Sequence, residues 1–264
     1  MWLAALILMA IALAGAAAYD RFGRYLQQHL SLILAFGGAF LIGIIFNHLV
    51  PETYALDPRV GWIVVLGFLF QGFLEYGSQG IEHGHVHVHS TETSGKSKMP
   101  WAMFFSLCLH AFIESMPLHS EAVEGGHDHL HDHAHDHAGH IHLHGIEGVD
   151  LALLVGLTLH KFPVALVLMG LLDALGISRA KRWLALGVFG LMPLLGMVAY
   201  HGLMSLGGAW SSELPVWAGG ILIGILLHIS TTILFEASDG HRFNRNKLLA
   251  TVAGLLLAVM TSGI

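Results

Sequence analysis

The chain has 264 residues, 55% of them hydrophobic and 11% charged, with a formal charge of −6 and a mean hydropathy of +0.66. A soluble domain carries roughly 25% charged residues, so this composition excludes an ordinary water-soluble enzyme or binding module and places the chain in a bilayer. No basic patch for nucleic acid is present, and the single cysteine, Cys108, excludes an internal disulfide.

A spanning helix needs about 20 mainly apolar residues. Eight stretches qualify: residues 1–19, 30–50, 60–77, 101–118, 150–173, 183–206, 214–236 and 247–263. The predicted fold is an all-α membrane protein, an eight-transmembrane-helix bundle forming one polytopic domain over 1–264. Its longest connections, 78–100 and 119–149, are loops. Ten of the twelve Lys and Arg residues fall in connections that share one side: Arg21, Arg24, Lys96, Lys98, Arg179, Lys181, Arg182, Arg242, Arg245 and Lys247. By the positive-inside rule that side is the cytoplasm, and both termini lie outside it. Residues 1–18 end in small side chains, as a cleavable leader does, but lack a basic start and read as a retained span. Short connections point to a bacterial inner membrane.

In the second span His48 and Glu52 are four residues apart and share a helix face near the outer surface. They read either as a membrane-interface pair or as an ion entrance. The third span holds Gln71 and Glu75 at the same spacing near the cytoplasmic end, a solvated helix-end carboxylate or an ion exit. The fourth carries His110 and Glu114, and the fifth His160 and Lys161. The sixth has Pro193, expected to break it, and His201 near its outer end. The seventh contains Gly219, Gly220 and Gly224, then His228 at mid-depth and Glu236 at its cytoplasmic end.

Ionisable groups at bilayer depth are costly and persist mainly where they line a pathway or bind something. His110 and Glu114 project from one face one turn apart, and His160 adds an imidazole from the next span. Two nitrogens and one oxygen suit a borderline-soft divalent ion, most naturally Zn²⁺. The alternative is that these residues only bridge helices by hydrogen bonds. Pro117, Pro163 and Pro193 are each expected to free a backbone carbonyl.

Both long loops carry histidine tracts: His83, His85, His87 and His89 in one, and His127, His129, His131, His133, His135, His137, His140, His142 and His144 in the other. Alternating histidines do not pre-form one tetrahedral cage. Either they are solvated low-complexity loops, or they offer many weak overlapping sites that raise the local ion concentration.

The motifs resemble the Zrt/Irt-like (ZIP) metal transporters over essentially the whole length. His110 and Glu114 match the family's fourth-span His-(Asn/Ser)-x-x-(Glu/Asp)-Gly, with departures at Ala111 and Ser115. His160 and Pro163 match the start of the fifth-span motif, and Asn47-His48-Leu49-Val50-Pro51-Glu52 is similar to the His-Leu-Leu-Pro-Glu ending span two. Members with a two-metal centre have a carboxylate or amide just after the fifth-span histidine and a glutamate a turn later. Here those positions are Lys161 and Val164, and a sixth-span glutamate is replaced near Met192. The resemblance is therefore to the branch with His-Lys in span five and one transport metal, with the Lys161 ammonium in the second ion's electrostatic role.

The expected function is transport of divalent metal into the cytoplasm, zinc first, with iron, manganese, cobalt, nickel or cadmium as alternatives. Zinc is then substrate, no organic cofactor is implied, and the partners are metal ions and lipid, with a homodimer left open. A membrane metal sensor or buffer and an efflux carrier are the rival readings. His-Glu-x-x-His, the helix motif of a metalloprotease, is absent, so no enzyme activity is expected.

Overall fold

The computed structural model describes residues 2–78, 99–119, 149–236 and 245–262, and every regular element among them is helical. In chain order they are α1 (Trp2–Gly23), α2 (Tyr25–Leu56), α3 (Gly61–Ser78), α4 (Trp101–Glu114), α5 (Leu151–Ala174), α6 (Arg179–Ser205), α7 (Ala209–Glu236) and α8 (Arg245–Ser262). Seven helices among the described residues, α1 to α7, are long and apolar enough to cross a membrane, counting the short turns that extend α3 and α4. The eighth, α8, has 18 residues and a polar start, Arg245-Asn246-Lys247.

The connection expected over residues 20–29 does not exist as a loop. The chain runs from α1 into α2 through a kink at Phe22 (φ −132°, ψ 18°), with helix on both sides. Tyr25 to Leu30 lack the turn residues that would compete with helix here. Pro163 and Pro193 likewise do not break their spans; α5 and α6 are continuous through them. Pro117 sits in the 3₁₀ turn Met116–His119 that follows α4.

One end of the bundle is tied by surface groups. Asp20 accepts from Arg179 Nε (2.8 Å) and Trp183 Nε1 (2.9 Å), while Asp173 accepts from Tyr19 (3.0 Å) and pairs with Arg182. Such exposed pairs contribute little stability each, but they bring the acidic end of α5 and the end of α1 against the cation-rich start of α6. The opposite end holds the α2–α3 turn. There the Arg59 side chain and backbone N–H hold the Asp57 carboxyl below the usual carboxylate range.

Packing relies on close backbone approach, as expected where lipid is as apolar as leucine. Gly43 and Gly254 let α2 and α8 touch, and Gly15 seats α1 against Ala165 of α5. A Cβ on Gly224 would strike the Val64 carbonyl of α3, and one on Gly67 the Ile221 backbone of α7. Gly224→Leu is expected to force α3 and α7 apart. Overpacking costs about 1–3 kcal/mol, so the variant should unfold in detergent at a clearly lower temperature than wild type. Gly187→Ala, whose added Cβ meets nothing within 4 Å, should unfold together with wild type in the same assay.

Large apolar side chains face outward, including Val65, Leu69 and Phe73 along α3 and Leu184, Leu191 and Leu195 along α6. Contiguous apolar surface of this extent suits lipid, not water. In contrast α5 is buried along most of its length, with Leu153, Leu157, Val164, Leu168 and Leu172 all in the core. A helix enclosed on nearly all sides can hold polar groups out of contact with lipid, and the central polar cluster lies on it.

Candidate metal centre

Two helices supply the side chains of the centre. His110 and Glu114 lie one turn apart on α4, which ends at Glu114 inside the bundle. The Ser115 hydroxyl closes that end by donating to the Ala111 and Phe112 carbonyls (2.9 and 3.0 Å), and Gly196 of α6 packs on Phe112. The carbonyl end of a helix favours a cation, which adds to the carboxylate's pull. His160 and Lys161 come from the middle of α5.

These four side chains are only 1% to 3% exposed. Ligand atoms of His110, Glu114 and His160 all lie within 4.8 Å of one another. Tetrahedral zinc with bonds of about 2.0–2.2 Å holds its ligands roughly 3.3 Å apart. Side-chain adjustments of about an ångström would therefore close this group on an ion. The two imidazole rings meet edge to face, centroids 6.0 Å apart at 83°.

The charges are arranged around Glu114. Lys161 Nζ donates to Oε1 at 2.5 Å and also sits 4.9 Å from the Phe189 ring of α6, a cation–π position. The other oxygen, Oε2, is 3.0 Å from His110 Nε2. His110 Nδ1 lies 3.1 Å from Oε1 of Gln71, which is fully buried on α3. If Nδ1–H donates to that amide oxygen, Nε2 presents its lone pair beside the carboxylate. That tautomer is ready to share a cation with Glu114.

Gln71 thus orients a candidate ligand, and the nature of this partner sets ligand basicity. Gln71→Leu is expected to release the ring and weaken zinc binding about 10–100-fold. Gln71→Glu puts a carboxylate behind the same imidazole and is expected to strengthen binding. Zinc titrations of the two purified variants should therefore move in opposite directions.

The remaining candidates are placed as follows. His48 and Glu52 lie together at the opposite end from Asp20 and Asp173, where Asp150 joins them. Glu75 and His228 pair with each other (2.5 Å) across α3 and α7, with Phe68 against the imidazole. His228 thus bridges α7 to α3 through the Glu75 carboxylate. His201 is exposed near the end of α6, outside both clusters. Glu236 is the last residue of α7, and its side chain is outside the described residues. The histidines at 83–89 and 127–144 also lie outside them.

In the sequence Gln71 stands out only as a neighbour of Glu75, and Asp150 only as the edge of a span. Asp150 does have a local signature, an Asp before an apolar run, which reads as an N-cap. Phe189 carries no signal at all. A scan against models of known protein families finds no match for this chain.

Proposed function

We propose that this protein carries divalent metal ions, zinc first, across a membrane into the cytoplasm, in the manner of the ZIP transporters its motifs resemble. The observation that carries the reading is the buried convergence of His110, Glu114 and His160 from two helices, with Lys161 paired to the same carboxylate. A purely structural cluster has no need of three metal-competent ligands around one point.

The arrangement suggests how loading works. Without an ion, Lys161 neutralises Glu114 and spares the bundle a bare buried carboxylate, whose desolvation is costly. A dication reaching the site competes with the ammonium for Glu114 and takes the imidazole lone pairs. Lys161 then retains the Phe189 face as a partner. Because the imidazoles ligate only when neutral, protons oppose loading and uptake weakens at acid pH. Release follows when the ammonium returns to Glu114, so the site is built to exchange its ion.

Direction follows from charge. The cations at the Arg179 and Arg182 end mark the cytoplasmic side by the positive-inside rule, which puts the His48 end and both termini outside. A bacterial inner membrane fits the short connections.

Proteoliposomes with a zinc-sensitive dye sealed inside test the proposal. Wild type should pass zinc and respond to external pH, and Glu114→Gln should not pass it. Tight zinc binding by wild type without any flux would instead make the protein a metal sensor or buffer. Flux only from the Arg179 face outward would make it an efflux carrier.

A further inference from the structure

The structure points to a second, weaker divalent-metal site at the opposite end of α5 from Asp173, with His48 and Glu52 as its protein ligands and Asp150 as the group that orients the histidine; this is our own inference. It starts from a local distortion. Pro51 lacks an N–H, and just before it α2 widens into a π turn over Ile45–Leu49, closed by Val50 N–H to the Ile45 carbonyl. Asn47 Nδ2 donates to the Gly43 carbonyl at 2.9 Å, supplying a side-chain donor in the wider register. His48 and Glu52 then face the start of α5.

His48 touches a carboxylate with each ring nitrogen. Nε2 is 2.9 Å from Asp150 Oδ2 in hydrogen-bond geometry, and Nδ1 is 3.2 Å from Glu52 Oε1. A neutral imidazole has one N–H. If Nε2–H donates to Asp150, Nδ1 turns a lone pair toward Glu52, and a cation is wanted between them. Asp150 is itself held, because its Oδ1 accepts from Leu153 N–H at 2.9 Å as the N-cap of α5.

The central cluster has the same plan. There His110 and Glu114 are four residues apart, and the far imidazole nitrogen is tied to Gln71. The recurrence of a His/Glu chelate with an oriented ring, once at mid-depth and once at the bundle's end, is what separates this group from an ordinary surface ion pair. A metal-bound histidine commonly gives its other N–H to a carboxylate, which is the place Asp150 takes.

The two positions differ in a useful way. Glu52 is 61% exposed, so the group is open to solvent and an ion held there exchanges more easily than one in the buried centre. Among the described residues no lysine pairs with Glu52 or Asp150, unlike Lys161 with Glu114 at the centre. The ten residues from Asp150 to His160 put the outer site roughly 15 Å along α5 from the central one. In the sequence, the tract ending at His144 stops shortly before Asp150. The outer site's binding stands by itself. Its role as a first station for ions bound for the centre rests on the transport reading.

The test is zinc-edge anomalous scattering from crystals of the full-length protein grown in lipid with zinc, for wild type, His48→Ala and Asp150→Asn. Asparagine keeps the oxygen that caps α5 but offers an N–H to Nε2, which drives the proton to Nδ1 and blocks the metal. Wild type should show a peak about 2.0–2.1 Å from His48 Nδ1. Both variants should lose it, in line with an affinity loss of about 10–100-fold for the orienting group, and keep the peak at His110 and His160. No outer peak in wild type, or an outer peak that survives Asp150→Asn, overturns the inference. An outer peak with an empty centre would leave this site standing and remove the transport reading instead.

Discussion

Glu114→Gln is expected to abolish zinc binding at the centre and zinc flux with it, by more than the roughly 10–100-fold that loss of an outer-shell partner costs. The amide keeps the side chain's volume, so packing around Ser115 and Gly196 is undisturbed. It removes the carboxylate of the cluster, the anion that draws a dication toward two imidazoles and a lysine. The same change leaves the Lys161 ammonium, 1% exposed, with Phe189 as its remaining counterweight. Stability should therefore fall as well, since breaking a buried pair costs about 3–5 kcal/mol. Glu114→Gln combined with Lys161→Met separates the two effects. The double variant should recover thermal stability in detergent while remaining inactive in proteoliposomes. If Glu114→Gln alone still carried zinc at the wild-type rate, the carboxylate would have no part in transport.

Lys161→Met makes the opposite change and has the second large effect. In wild type the ion displaces an ammonium from Glu114. In the variant the empty site neutralises its carboxylate with a proton from solvent, and the ion displaces that proton. Zinc binding should then release about one more proton than in wild type, and log affinity should rise more steeply with pH by about one. Calorimetric titrations in two buffers of different ionisation enthalpy measure the proton count directly. Release should also slow, because no ammonium returns to push the ion out, so flux at saturating zinc should drop even where affinity at high pH improves. An unchanged proton count would remove Lys161 from the loading step.

Much of the architecture is legible in the residues alone. The eight apolar stretches correspond to α1 through α8, most with ends within a few residues, because bilayer thickness demands long apolar runs that composition reveals. Residues 20–29 are the exception. Hydropathy sees polar residues such as Asp20 and Arg21 and infers a loop, whereas backbone preference keeps the chain helical through the Phe22 kink. Pro193 suggests a break that the structure does not have, and Pro163 also lies within a continuous helix. Missing one N–H in a long helix leaves the turns on either side in place when neighbours hold them, α1 against α5 and α4 against α6.

The candidate centre divides along similar lines. The i, i+4 pairs His48–Glu52, Gln71–Glu75 and His110–Glu114 are legible because helical period alone puts such residues on one face. Which face meets which partner is a matter of packing. That His110 leans on Gln71, that Glu75 meets His228, and that Asp150 reaches back 102 positions to His48 all depend on how helices sit against one another. Composition and period therefore establish a multi-helix membrane protein with buried ionisable groups. The pairing of those groups arises only when glycine contacts such as Gly15 on Ala165 and Gly224 on Val64 set the helix neighbours, because short-range chain geometry carries no information about contacts between distant spans.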